Sequence, residues 1–295
     1  EHTFRLDVSV KLLATTPVII ASNFTLTSNL NVCSCQISNT VALVVPSNKT
    51  LIVQEGITIT GTGSLTIEDQ GSLVQINDAA VNSGVITYRR NTVPVKRYDY
   101  TYWSSPVNNQ NLLAFSPDTL LDKFYQFNPT IGNWEGLTPS TTTMQAGRGY
   151  IIRAPQTNSI TSPSIFSGSF VGTPNNGVIN YTVENAASNL NLIGNPYPSA
   201  IDIDAFLNDA SNAAVVNGTI YLWTHNTLPS NQIPGNWTYN YTSDDYAIYN
   251  STGAVSTGSA LSSGINTTTP NGKIAAGQSF LIKAITTGTV KFNNS

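Results

Sequence analysis

Residues 42–75 read ALVVPSNKTLIVQEGITITGTGSLTIEDQGSLVQ. Within them Ala42-Leu43-Val44-Val45 returns 22 positions later as Ser64-Leu65-Thr66-Ile67. At the same offset Thr50-Leu51-Ile52-Val53 returns as Ser72-Leu73-Val74-Gln75. A third short run, Ile57-Thr58-Ile59-Thr60, stands between the copies, and Gly56, Gly61, Gly63, Gly71 and Gly84 mark corners. Three short strands per repeat is the pattern of a β-solenoid coil, which buries its apolar residues only by stacking on the next coil. Two copies are too few to stand alone. The flanks, a strand at Cys33 before and Val85–Tyr88 after, are therefore expected to complete a right-handed stack over about residues 30–90. Leu43 is expected over Leu65, and Leu51 over Leu73.

Outward from this stretch the chain stays β-like. Short β-branched runs alternate with Gly, Asn, Pro and Ser, and helical periodicity is nearly absent. At the N-terminal side Phe4, Leu6, Val8, Val10 and Leu12 alternate with polar residues, giving a strand with one apolar face. Such a strand has two fates. It folds back onto its own sheet, or it completes the sheet of a neighbouring copy and builds a filament. Beyond Arg90 aromatics become frequent and a longer duplication begins. Met144 to Ala154 (MQAGRGYIIRA) matches Ile274 to Ala284 (IAAGQSFLIKA). Phe124-Tyr125-Gln126-Phe127 with Gly132-Asn133-Trp134 matches Ile220-Tyr221-Leu222-Trp223 with Gly235-Asn236-Trp237. The fold expected is all-β: an N-terminal strand region over 1–29, a β-solenoid-like part over 30–92, and a duplicated β-sandwich over 93–295. Its halves would be about 98–171 and 190–295. One helix is expected, Ser199 to Asn208, capped by Ser199 and plugging an end of the sandwich.

Composition narrows the function classes. The 295 residues hold 13 Lys+Arg against 16 Asp+Glu, a net charge of −3, and only 10% are charged. A phosphate-binding surface needs a Lys/Arg surplus, so nucleic acid is not an expected partner. No apolar run approaches the length of a membrane-spanning helix. Ser, Thr and Asn make up about a third of the chain, as is common in secreted and cell-surface β proteins. The start at Glu1, without Met or a leader, reads as a removed signal peptide or a fragment boundary, and the end at Ser295 reads as a cut.

Six stretches resemble the repeat-bearing region of large cell-surface proteins of the Bacteroidota, especially flavobacteria. They are Gly63 to Asp78, Arg97 to Pro106 (RYDYTYWSSP), Gly147 to Pro155 (GRGYIIRAP), Asn191 to Asp202 (NLIGNPYPSAID), Asp244 to Asn250 and Phe292 to Ser295. The resemblance spans about residues 30–295. It implies export by the type IX secretion system, with a C-terminal sorting domain following Ser295, and an extracellular, cell-surface location. It implies no catalytic residues.

Candidate sites are sparse. No Gly-x-Ser-x-Gly elbow occurs, and His225, the one interior histidine, reads as a solvated or hydrogen-bonded loop residue. Asp202/Asp204 and Asp244/Asp245 are the best carboxylate clusters. Capping and turn roles fit them first, and calcium, bound through their hard oxygens, is the alternative. A glycosidase would need such a pair across a cleft. Trp134, Trp237, Tyr239 and Tyr241 offer a sugar-stacking platform, with Trp237, Tyr239 and Tyr241 as the glycan-binding candidates; Tyr239 and Tyr241 would share a strand face. Cys33 and Cys35 read as a buried reduced pair, with a strained disulfide as the alternative, rather than a zinc or catalytic redox site. Asn-x-Ser/Thr sequons stand at Asn23, Asn48, Asn180, Asn217, Asn236, Asn240, Asn250 and Asn266, a number that so Asn-rich a chain produces by chance. The expectation is a non-enzymatic structural or adhesive surface protein, a candidate filament subunit without a cofactor. Its partners would be other copies, other surface proteins or glycans. A carbohydrate-binding module is the alternative, and a glycan-active enzyme the second alternative.

Overall fold

A computed structural model describes residues 15–235, 238–257 and 268–294. The chain first winds through three coils of three short strands. The first coil is β1 (Val18–Ile20), β2 (Phe24–Thr25) and β3 (Leu30–Val32). The second is β4 (Cys35–Ile37), β5 (Ala42–Val45) and β6 (Thr50–Val53). The third is β7 (Ile57–Ile59), β8 (Ser64–Ile67) and β9 (Ser72–Gln75). Every coil-to-coil pairing is parallel, so three walls rise together: β1-β4-β7, β2-β5-β8 and β3-β6-β9. Leu43 pairs with Leu65 and Leu51 with Leu73, as the 22-residue offset requires. The solenoid starts earlier than the expected boundary at 30, because the first coil is built on strands of two and three residues whose spacing departs from the later repeat.

Side chains alternate inward and outward along each strand, and the inward ones fill the stack. Leu43, Val45, Leu51 and Val53 are fully enclosed, and Leu65 and Ile67 lie directly against them. Asparagines at the corners satisfy backbone N–H groups of adjacent coils. The Asn23, Asn29 and Asn39 side-chain oxygens accept from the amides of Ala42 (2.9 Å), Thr50 (3.0 Å) and Thr62 (2.9 Å). This coil-to-coil bonding explains part of the asparagine excess.

The two ends of the stack differ. On one side β10 (Ile86–Asn91) extends the β8 wall in parallel. On the other, among the described residues, each strand of the first coil pairs only with its successor. Phe24 and Leu30 are half-buried there, although the residues that continue their columns, Leu43 and Leu51, are fully buried.

The rest of the chain builds two antiparallel sheets. β11 (Tyr100–Trp103), α1 (Leu112–Phe115), β12 (Phe124–Asn128), β13 (Asn133–Gly136) and β14 (Tyr150–Arg153) come first. Next, β15 (Ser167–Gly172) returns across the expected boundary at 92/93 to pair antiparallel with β10 in the solenoid wall. β16 (Ile179–Val183), β17 (Leu190–Gly194), β18 (Ile201–Asp202), α2 (Ile203–Asn208), α3 (Ala210–Ala213) and β19 (Val216–Trp223) follow. The last strands are β20 (Tyr246–Asn250), β21 (Gly253–Val255), β22 (Lys273–Ile274), β23 (Ser279–Ala284) and β24 (Gly288–Phe292). The two sheets have the orders β11-β14-β12-β13 and β17-β23-β19-β20-β21.

The four strands of the first order correspond to the first four of the second, and β21 has no counterpart. Trp103 pairs with Tyr150 as Ile193 pairs with Phe280. Phe124 pairs with Ile152 as Ile220 pairs with Ile282. Tyr150 and Phe280 are both buried. The bonds between the sheets are also reciprocal. Ser104 N–H donates to Gly277 O and Gly194 N–H to Gly147 O, both at 3.0 Å, and these are equivalent atoms of the matched motifs. Gly194 allows the approach, since a Cβ there would sit 2.2 Å from the Ser104 Cβ.

Between the sheets lies an aromatic layer around Tyr102, Ile151, Leu192 and Leu281. The Tyr102 ring stacks on Trp223 at 5.7 Å, and its hydroxyl bonds that of Tyr246. The opposite face of the first sheet joins the solenoid core through Trp103, Phe124 and Tyr150. The opposite face of the second is covered by α2, β16 and β24. The expected helix is shorter than the sequence suggested. It begins at Ile203, and Asp202, not Ser199, is its cap, accepting from Ala205 N–H at 2.9 Å. Residues 201–202 pair with β22 instead. The helix lies on a sheet face rather than plugging an end, with Phe206 against Phe280 and Phe292. Among the described residues no helix is long and apolar enough to cross a membrane.

Candidate functional site

The two acidic pairs stand on different elements, each engaged locally. Asp202 caps α2 and holds Lys273 Nζ at 2.5 Å, which keeps its carboxyl below the usual range. Asp204 accepts from the Tyr249 hydroxyl at 3.0 Å. Asp244 is exposed in a 3₁₀ turn over Ser243–Asp245. Asp245 is fully buried, accepts from Thr227 N–H at 2.9 Å, and has its pKa raised by that burial. Among the described residues no three His, Cys, Asp or Glu side chains gather as metal ligands would.

The aromatic candidates separate. Trp237 lies outside the described residues, as do Phe4, Leu6, Val8, Val10 and Leu12. Tyr239 is 61% exposed. Tyr241 instead packs edge-on against Tyr100 and Trp223, and its hydroxyl donates to Tyr98 O. The two do not share a strand face, because the segment is irregular and Asn240 between them pairs with Ser230. Trp134 is half-buried in the aromatic layer against Phe127 and Tyr102.

His225 is the hydrogen-bonded loop residue expected: it is half-buried, its ring Nε2 is shielded from solvent, and its Nδ1 accepts from Trp223 Nε1 at 3.1 Å, which leaves the proton on Nε2. Burial pushes its pKa down to about 3. Cys33 and Cys35 are both free thiols, as expected of a reduced pair. Only Cys35 is buried, its pKa pushed up to about 12, because Cys33 falls at the corner before β4 and not on the strand.

Two further features escaped the sequence reading. One is a cleft of about 230 Å³ where β9 meets α2 and the end of β24. Leu73 N–H donates there to Pro198 O at 2.9 Å, so the 196–199 loop covers part of the β9 edge. Asn175, Asn176 and Asn294 and the Asp209–Lys291 ion pair give the cleft polar walls. The other lies where β11 begins and β14 ends. Arg153 is only 7% exposed, and among the described residues it has no ion pair. Its Nη2 donates to Gln156 Oε1 at 2.6 Å, while its Nε has no partner. The guanidinium sits 5.7 Å from the ring centre of Tyr98, which is 48% exposed. The available signal was a difference between matched motifs: Arg153 stands where the other copy has Lys283.

A family model described as a domain of unknown function, DUF8693, matches residues 3–295. No curated protein and no solved structure matches the chain.

Proposed function

We propose that this chain, which belongs to the DUF8693 family, is a structural or adhesive protein of an extracellular surface, joined to neighbours through the open end of its solenoid. One observation carries the reading. Phe24 and Leu30 of the first coil remain half-exposed where Leu43 and Leu51, next in the same columns, are sealed. A further strand with one apolar face would cover them and pair with the backbone edge that has no partner strand among the described residues. Residues 4–12 have that pattern. Supplied by a second copy, the strand makes a head-to-tail contact that does not close, and repetition gives a filament. The extracellular location rests on the resemblance to exported surface proteins and on the Ser-, Thr- and Asn-rich composition.

The test uses a chain lacking residues 1–14 and a synthetic peptide of residues 1–14. Calorimetry is expected to show one peptide bound per chain, with Phe24→Asp abolishing binding. A folded truncated chain that ignores the peptide would sink the proposal. A second reading, a carbohydrate-binding module, is favoured by two exposed tyrosines, Tyr239 and Tyr98, the latter held by the Tyr241 hydroxyl at the edge of the aromatic layer.

A further inference from the structure

We infer that the edge of Arg153 formed by Nε and Nη2 binds the carboxylate of an acidic sugar; the inference rests on the carbohydrate-binding reading. A buried cation is normally held by a carboxylate, since its desolvation is otherwise uncompensated. Arg153 has none. Asp122, a nearby carboxylate, is exposed and bonded to Lys123 at 2.7 Å. Asp99 takes the backbone N–H of Lys96 at 2.7 Å. Nε–H and the neighbouring Nη2–H of a guanidinium point the same way and together match the two oxygens of a carboxylate. Here one amide oxygen, that of Gln156, occupies half of that fork, and Nε–H is left over. Gln156 is exposed, and its bond to Nη2 is the one that a bound carboxylate would replace.

The fold does not require a buried cation at this position. Arg153 pairs with Tyr100, and its counterpart Lys283 pairs with Leu190 in the other sheet. Lys283 is exposed, 5.8 Å from the Tyr221 ring. The buried guanidinium is therefore particular to the first sheet. The surroundings favour a sugar as the bearer of the carboxylate. Tyr98 lies against the guanidinium with much of its ring open to solvent, and an aromatic face suits the C–H face of a pyranose. Tyr241 fixes the Tyr98 backbone through its hydroxyl, so the ring stands on a packed support.

The test is calorimetric titration of the whole chain with oligogalacturonate, against a neutral oligosaccharide of equal length, acetate and a tetraglutamate peptide. Oligogalacturonate is expected to bind, and Arg153→Lys to weaken it about tenfold or more, because an ammonium cannot form the paired bonds. Gln156→Glu, which fills the fork internally, is expected to block binding and raise the melting temperature. Gln156→Ala is expected to bind at least as well as the wild type. Uronate binding that survives both Arg153→Lys and Gln156→Glu overturns the inference, and so does equal binding of acetate or tetraglutamate. Binding of the neutral sugar alone also overturns it while leaving the carbohydrate-binding reading intact; no sugar binding at all removes both.

Discussion

At the scale of single residues, burial sets the consequences. Leu65 is 1% exposed, and its neighbour Ser64 faces solvent. Leu65→Asp places an unpaired charge in the stack and is expected to cost more than about 4 kcal/mol or to abolish folding. Ser64→Asp is expected to stay within about 0.5 kcal/mol. Urea denaturation of both variants checks the pair, and a tolerated Leu65→Asp would contradict the inward assignment. His225 gives a pH test. Its folded pKa of about 3 lies below the roughly 6.5 of an unfolded chain. Between these values the unfolded state binds a proton that the folded state refuses. Stability therefore falls as pH drops below about 6.5, by about 1.4 kcal/mol per unit. Asp99 and Asp245, both raised by burial, act in the opposite sense near the acid end, but they are common to wild type and variant. From pH 7 to 5 the wild type should lose about 2 kcal/mol relative to His225→Gln. Parallel stability profiles would mean that the imidazole is not shielded. The sequence could not disclose this shielding, because a lone histidine among Thr and Asn carries no periodic signal. It comes from Trp223, which itself points into a layer shared with the other sheet.

At the scale of elements, repetition was readable and irregularity was not. The 22-residue offset fixed which leucines stack, because parallel coils place equivalent residues in register. The first coil was invisible, since Phe24-Thr25 is too short to show alternation. The helix boundary was misplaced for a related reason. Pro198 and Ser199 have the composition of a helix start, but Ile201 and Asp202 are captured by β22, and tertiary pairing overrides the local signal. The shared face expected of Tyr239 and Tyr241 assumed a strand, and the chain is irregular from 238 to 242. The reciprocal contacts between the sheets make a sharper prediction. Gly194→Ser drives a side chain into Ser104 and is expected to destabilise by about 1–3 kcal/mol. Adding Ser104→Gly exchanges the two equivalent residues across the interface, and should recover much of the loss. Thermal denaturation of the single and double variants checks this, and strictly additive losses would contradict the equivalence.

At the scale of the whole molecule, the solenoid and the first sheet share one apolar cluster, while the second sheet has its own. Trp103, Phe124 and Tyr150 lie in one cluster with Leu43 and Leu65, so the stack is closed on that side by its own chain. The other end shows a free strand edge and two half-covered apolar side chains among the described residues. That asymmetry among the described residues is what the proposed assembly in one direction rests on. Sedimentation velocity of the complete chain over a wide concentration range is the most direct measurement of it. Assembly predicts species heavier than the 31.5 kDa chain that grow with concentration and vanish on deletion of residues 1–14, while the far-ultraviolet β signal persists. A single 31.5 kDa species at every concentration would contradict it.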